Sequence, residues 1–143
     1  MSSPTLDEVQ AALKHALETI EGLRAYATEP DQPPGAEAAV AYPRVVDWTY
    51  DQSWEGDCEV ATLWHFDIWV LVNLASGLNR AQTQLNPYIS PTGRRSIKQA
   101  LEHDVGLGGC VDYVRLTGGG AYGATDVGSV RCLAASMRAE VQA

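Results

Sequence analysis

The chain has 143 residues, 45% of them hydrophobic and 20% charged, enough for one sizeable core and too apolar for wholesale disorder. Its net charge of −8 leaves few cations to neutralise phosphate, which argues against tight binding to DNA or RNA. No apolar run reaches the roughly 18 residues of a membrane helix, and Met1 to Glu8 has no basic-then-apolar signal pattern, so the expected setting is a cytoplasm, away from any membrane.

In chain order, Thr5 and Glu8 form a capping box, and Leu6, Val9, Leu13, Ala16, Leu17 and Ile20 recur on one helical stripe that Gly22 ends. Leu23 to Tyr26 reads as a short strand, and Thr28 to Glu37, with Pro30, Pro33, Pro34 and Gly35, as a loop. Ala38 to Val46 reads as a strand in which Pro43 demands an edge position or an interruption. Asp47 to Asp57 is polar and acidic but carries Trp48, Tyr50 and Trp54, and reads as a long hairpin connection. Cys58 to Asn73 is the main strand. Its even positions from Val60 to Val72 are almost wholly apolar and its odd positions mixed, as for a strand with one face on the core.

Leu78 to Ile89 has helical spacing. Ser90-Pro91 suits a cap and first position for a third helix that includes Ile97, Ala100 and Leu101 and stops at Gly106. Cys110 to Thr117 reads as a strand, Gly118 to Gly128 as a glycine-rich loop, and Val130 to Val141 as a final strand with Leu133, Ala135, Met137, Ala139 and Val141 on one face. Strands in runs with helices between them give an α+β expectation: a largely antiparallel mixed sheet with helices packed on one face.

The residues that could carry chemistry do not converge. His15, His65 and His103 have no second ligand or nucleophile at a useful spacing, and Gly118-Gly119-Gly120 lacks the lysine of a phosphate loop. Asp47, Asp51, Glu55 and Asp57 miss the calcium-loop pattern. Cys58, Cys110 and Cys132 are odd in number, widely spaced and without a CxxC, as for reduced thiols rather than zinc ligands. The expectation is no catalytic residue, no metal and no cofactor. Trp48, Tyr50 and Trp54, aromatic residues in a polar segment, are instead candidate assembly contacts. Arg94 and Arg95, read as opening the third helix against its dipole, point to a partner carboxylate, for which another subunit is one candidate source.

The stretch from Ser90 to Thr117, with Ser96-Ile97-Lys98, Ala100-Leu101-Glu102, Leu107-Gly108-Gly109 and Val111-Asp112-Tyr113-Val114-Arg115, resembles the second half of tail terminator proteins from long-tailed phages of actinobacteria. Tyr122-Gly123, the opening helix, the Pro-rich loop and the long apolar strand extend the resemblance over nearly the whole chain, while the Arg94-Arg95 pair departs from it. The resemblance implies one domain over residues 1–143 and a homohexameric ring in the virion neck, assembled in the host cytoplasm. Its implied partners are the major tail tube protein on one side and the head-completion or stopper protein on the other. DNA would be only a passing cargo, and Asp47, Asp51, Glu55 and Asp57 are candidates for lumen or tube-facing positions. A head-completion protein of the same neck is the nearest alternative reading. A small ligand-binding domain or enzyme is a more distant one, which needs polar groups converging in a pocket.

Overall fold

The computed structural model describes residues 4–32, 34–35, 38–52, 60–103 and 107–143. It has three helices, α1 (Leu6–Glu18), α2 (Leu78–Ile89) and α3 (Ile97–His103), and five strands, β1 (Leu23–Ala25), β2 (Ala39–Gln52), β3 (Val60–Asn73), β4 (Tyr113–Val127) and β5 (Val130–Gln142). The strands form one sheet in the order β1-β2-β3-β5-β4. Among the described residues only the β1–β2 pair is parallel; β2–β3, β3–β5 and β4–β5 are antiparallel. The fold is α+β, with a mixed, largely antiparallel sheet.

All three helices pack on the same side of the sheet. One core joins Val9, Leu13 and Leu17 of α1, Leu85 and Tyr88 of α2, and Ile97 and Leu101 of α3 to Phe66, Ile68, Val70 and Val72 of β3 and Ala135, Met137, Ala139 and Val141 of β5. The even positions of β3 therefore face the helices, as their alternation requires. On the helix-free side a smaller cluster of Tyr42, Leu71, Cys132 and Ala134 gathers Trp69 against it. The connection from β1 to β2 reaches over this end. The Tyr42 hydroxyl donates to Glu29 Oε1 (3.4 Å), and Asn73 Nδ2 donates to the carbonyl of the buried Pro34 (3.1 Å). Burial, and then the neighbouring Glu29 carboxylate, push the Tyr42 hydroxyl up to about 12, so it stays a donor.

Several local readings need correcting. Residues 47–52 belong to β2 and are not part of a loop: Asp47, Trp48, Thr49 and Tyr50 pair with His65, Trp64, Leu63 and Thr62 across a bulge at Val46. Their polar–aromatic alternation has the two-residue period of a strand. Gly118–Val127 likewise continues β4 rather than forming a loop. The full length of β5 supplies its ladder, and two register shifts near Thr117 and Gly120 take up the extra residues. Ser90 closes α2 by donating its N–H to the Asn86 carbonyl, and α3 is capped instead by Ser96, whose Oγ accepts the Gln99 N–H at 3.1 Å. The last strand and the Thr5 cap of α1 agree with expectation: Thr5 Oγ1 accepts the Glu8 N–H at 3.2 Å. The α1 helix ends at Glu18 with Thr19 as its C-cap, and Gly22 lies beyond it at φ +81°, where a Cβ would stand 3.0 Å from Tyr88 Oη. The expected stop at Gly106 lies outside the described residues.

Candidate assembly surface

Trp48 and Tyr50 sit two residues apart on β2, so both project to the helix side of the sheet, at an end the helices leave open. They are 50% and 62% exposed, against 9% for Trp64, their neighbour on β3. Trp48 tilts over Trp64 with ring centroids 5.9 Å apart and 41° between planes, and donates its indole N–H to Tyr50 Oη at 3.1 Å. Among the described residues the Trp64 indole N–H beneath is buried without a hydrogen-bond partner. One aromatic thus covers a costly buried donor while offering half its own surface to solvent. Trp54, the third expected aromatic contact, lies outside the described residues, as do Glu55, Asp57 and Cys58.

On the opposite face the same strands carry a charged ladder. One row runs Arg44, Asp67, Arg138; the next runs Asp47, His65, Glu140, Arg115. Arg138 Nε donates to Asp67 Oδ1 at 2.9 Å. His65 bonds Asp47 through Nδ1 and stands 3.6 Å from Glu140 through Nε2. Three arginines and three carboxylates share this half of the face, so it is charged but locally balanced. His65, expected to lack a partner for chemistry, is held as a bridge between two acids; His15 and His103 are exposed on α1 and α3. Among the described residues no group of three or more His, Cys, Asp or Glu side chains could hold a metal ion.

The arginine pair does not open α3. Arg94 and Arg95 lie in the turn before it, and the expected partner carboxylate belongs to this same chain: Arg94 Nη2 donates to Glu21 Oε2 at 2.6 Å. Arg95 lies against the Tyr88 hydroxyl, which burial pushes above its ordinary value while Arg95 pulls it back. Both arginines therefore tie the turn to the α1–β1 junction. Burial likewise raises the Cys110 and Cys132 thiols, with Glu8 and Asp126 adding to it, which favours the protonated thiol over the thiolate.

A groove of about 480 Å³ opens on the helix side of β4, which sequence reading missed. Ile89 and Pro91 form one wall, Leu116 and Tyr122 the ends, and Ala135 and Met137 of β5 the floor. Gly119, opposite Met137 on the helix side, has no side chain to cover β5 there. Tyr122 is fixed at its end by donating to Asn86 Oδ1 of α2 at 2.9 Å. At the other end Glu102 accepts the Leu116 N–H at 3.1 Å and pairs with Lys98. The glycine run was the available signal, but reading it as a loop hid the groove.

No protein-family model matches this sequence, and no curated protein matches it.

Proposed function

We propose that this chain is a structural neck protein of a long-tailed phage, a tail terminator that caps the tail tube as a ring, and that it works without catalysis. The observation that carries the reading is the open end of β2, where Trp48 and Tyr50 stand half or more exposed on a regular strand. Large aromatics placed this way are the usual anchors of protein contacts. The sequence resemblance to tail terminators supplies the kind of contact: copies of the same chain, the tube below and the head-completion protein above. The helix-free face suits the wall of a DNA passage, because three carboxylates stand among its three arginines, and phosphate gains little from cations with acids beside them.

Electron microscopy of the purified protein mixed with tail tubes tests this. A ring at one tube end, with tube growth halted there, is the expected result. Binding to filled heads but not to tube ends would refute the terminator role in favour of a head-completion protein. Binding to neither would refute the neck assignment.

A further inference from the structure

We propose that copies of this chain join head to tail by strand addition, the outer edge of β2 in one copy pairing with the outer edge of β4 in the next, with Trp48 and Tyr50 seated in the groove beside Gly118–Gly120. The inference rests on the ring reading only in taking the occupant to be a second copy.

Both edges are open. Among the described residues β1 pairs with β2 only at Ala39–Ala41, leaving the rest of β2 without an outer neighbour, and β4 is the last strand of the sheet. The strand directions then decide how two copies fit. β2, β3, β5 and β4 alternate, so β4 runs opposite to β2. A second copy set alongside in the same orientation brings its β2 antiparallel to the first copy's β4, and the sheet continues without a break in sense. A head-to-tail contact of this kind builds a ring when its repeated rotation closes on itself.

The side chains agree with this arrangement. Trp48 and Tyr50 lie on the helix side of β2, and the groove lies on the helix side of β4. In strand addition, main-chain bonds give affinity, and pockets for alternate side chains give specificity. Two aromatics at i and i+2 beside a groove of about 480 Å³, within the range of pockets that hold organic ligands, fit that mode. Within one copy the pair is out of reach, since β2 and β4 are three strand spacings apart, about 14 Å. A two-fold contact of β2 with β2 would leave both grooves empty. The Glu102 carboxylate already takes the Leu116 N–H, which places the added strand along Gly118–Val127.

Cross-linking tests the contact directly. Thr49→Cys and Ala121→Cys, both exposed on the helix-free face, are combined in a Cys58→Ser, Cys110→Ser background that keeps the buried Cys132. A short bis-maleimide cannot bridge the two sites within one chain. The expected result is a ladder of dimer, trimer and higher species on a denaturing gel, while an equimolar mixture of the two single-cysteine variants stops at dimer. Trp48→Ala with Tyr50→Ala should weaken self-association in sedimentation velocity by about thirtyfold or more. Four results would overturn the inference: oligomers in sedimentation that give no ladder, dimers from Thr49→Cys alone, self-association unchanged in the aromatic double variant, or a monomer at every concentration. The first of these leaves a ring intact by another contact. Capping of tube ends, read separately by microscopy, shows whether the neck assignment itself survives.

Discussion

Trp48 is both a stability residue and a contact residue, and replacing it with alanine separates the two roles. With half its surface covered, the indole buries on the order of 100 Å². At about 25 cal/mol per Å² that is about 2.5 kcal/mol, falling to about 2 once the compactness of the denatured chain is allowed for. The tilted contact with Trp64 adds about 0.5–1 kcal/mol. Trp48→Ala should therefore lose about 2–3 kcal/mol, which for a chain of this length lowers Tm by about 5–10 °C. Tyr50, more exposed and without the ring contact, buries about 75 Å² and should lose about 1.5 kcal/mol on the same change. The assay is urea unfolding followed by circular dichroism, at a concentration where sedimentation shows the monomer. Tyr50→Ala is then the cleaner probe of association, because it costs the fold less. Equal losses from the two variants, or a Trp48→Ala loss below about 0.5 kcal/mol, would show that Trp48 does not cover Trp64 in solution.

Gly22→Ala should destabilise by about 1–2 kcal/mol, since it combines a φ of +81° with a Cβ 3.0 Å from Tyr88 Oη; thermal unfolding measures it, and an unchanged Tm would count against that turn. Burial pushes the Glu102 carboxyl up, but Lys98, the Leu116 N–H and Arg115 outweigh it and hold the group below its ordinary 4.5. Its folded value is thus the depressed one, and its contribution is present above pH 4.5 and lost as pH falls through the folded value. Glu102→Gln should accordingly narrow the stability difference between pH 7 and pH 3, read by urea midpoints; an unaltered difference would exclude this group as its source. Asp47→Asn, Asp67→Asn and Glu140→Gln together should turn the balanced face cationic and create salt-sensitive retention of duplex DNA on a filter, which the unchanged protein should lack at physiological salt. Retention by the unchanged protein would contradict the reading of this face as a neutral wall.

The parts of the fold that were legible were those where a single period runs undisturbed. The α1 stripe with Thr5 at its head, the even–odd split of β3 and the inward set of β5 could each be read directly, because the side chains themselves record burial at 3.6 or 2 residues. Reading failed where the deciding partner is distant in sequence. Residues 47–52 are polar enough for a loop, and only pairing with Trp64 and Thr62 makes them strand. Gly118–Gly120 has no intrinsic strand preference; the β5 ladder imposes it. At the candidate surface the aromatics Trp48 and Tyr50 stood out by composition. The groove did not, since a pocket made by missing side chains needs the packing of α2, α3 and β5 to define it. The arginine pair was misread for the same reason: Glu21, which holds Arg94, is far off in the chain.

The sheet order also sets how the molecule must be put together in time. β2–β3 and β4–β5 are hairpins between neighbouring segments, formed by local closure, whereas the central β3–β5 seam joins strands separated by the whole chain from 74 to 129. The seam therefore closes late, and it is the slow step expected of non-local strand pairing. Until it closes, each half-sheet presents the inner edge of β3 or β5 to any other chain nearby. A β4–β5 half taken up by the β3 of another copy would satisfy the same ladder, giving a domain-swapped dimer. Such a dimer would keep the outer edges of β2 and β4 but fix two subunits together. Refolding at high concentration should favour it, and substitutions along the seam, such as Ile68→Val opposite Met137, should slow productive folding more than those in the β4–β5 turn.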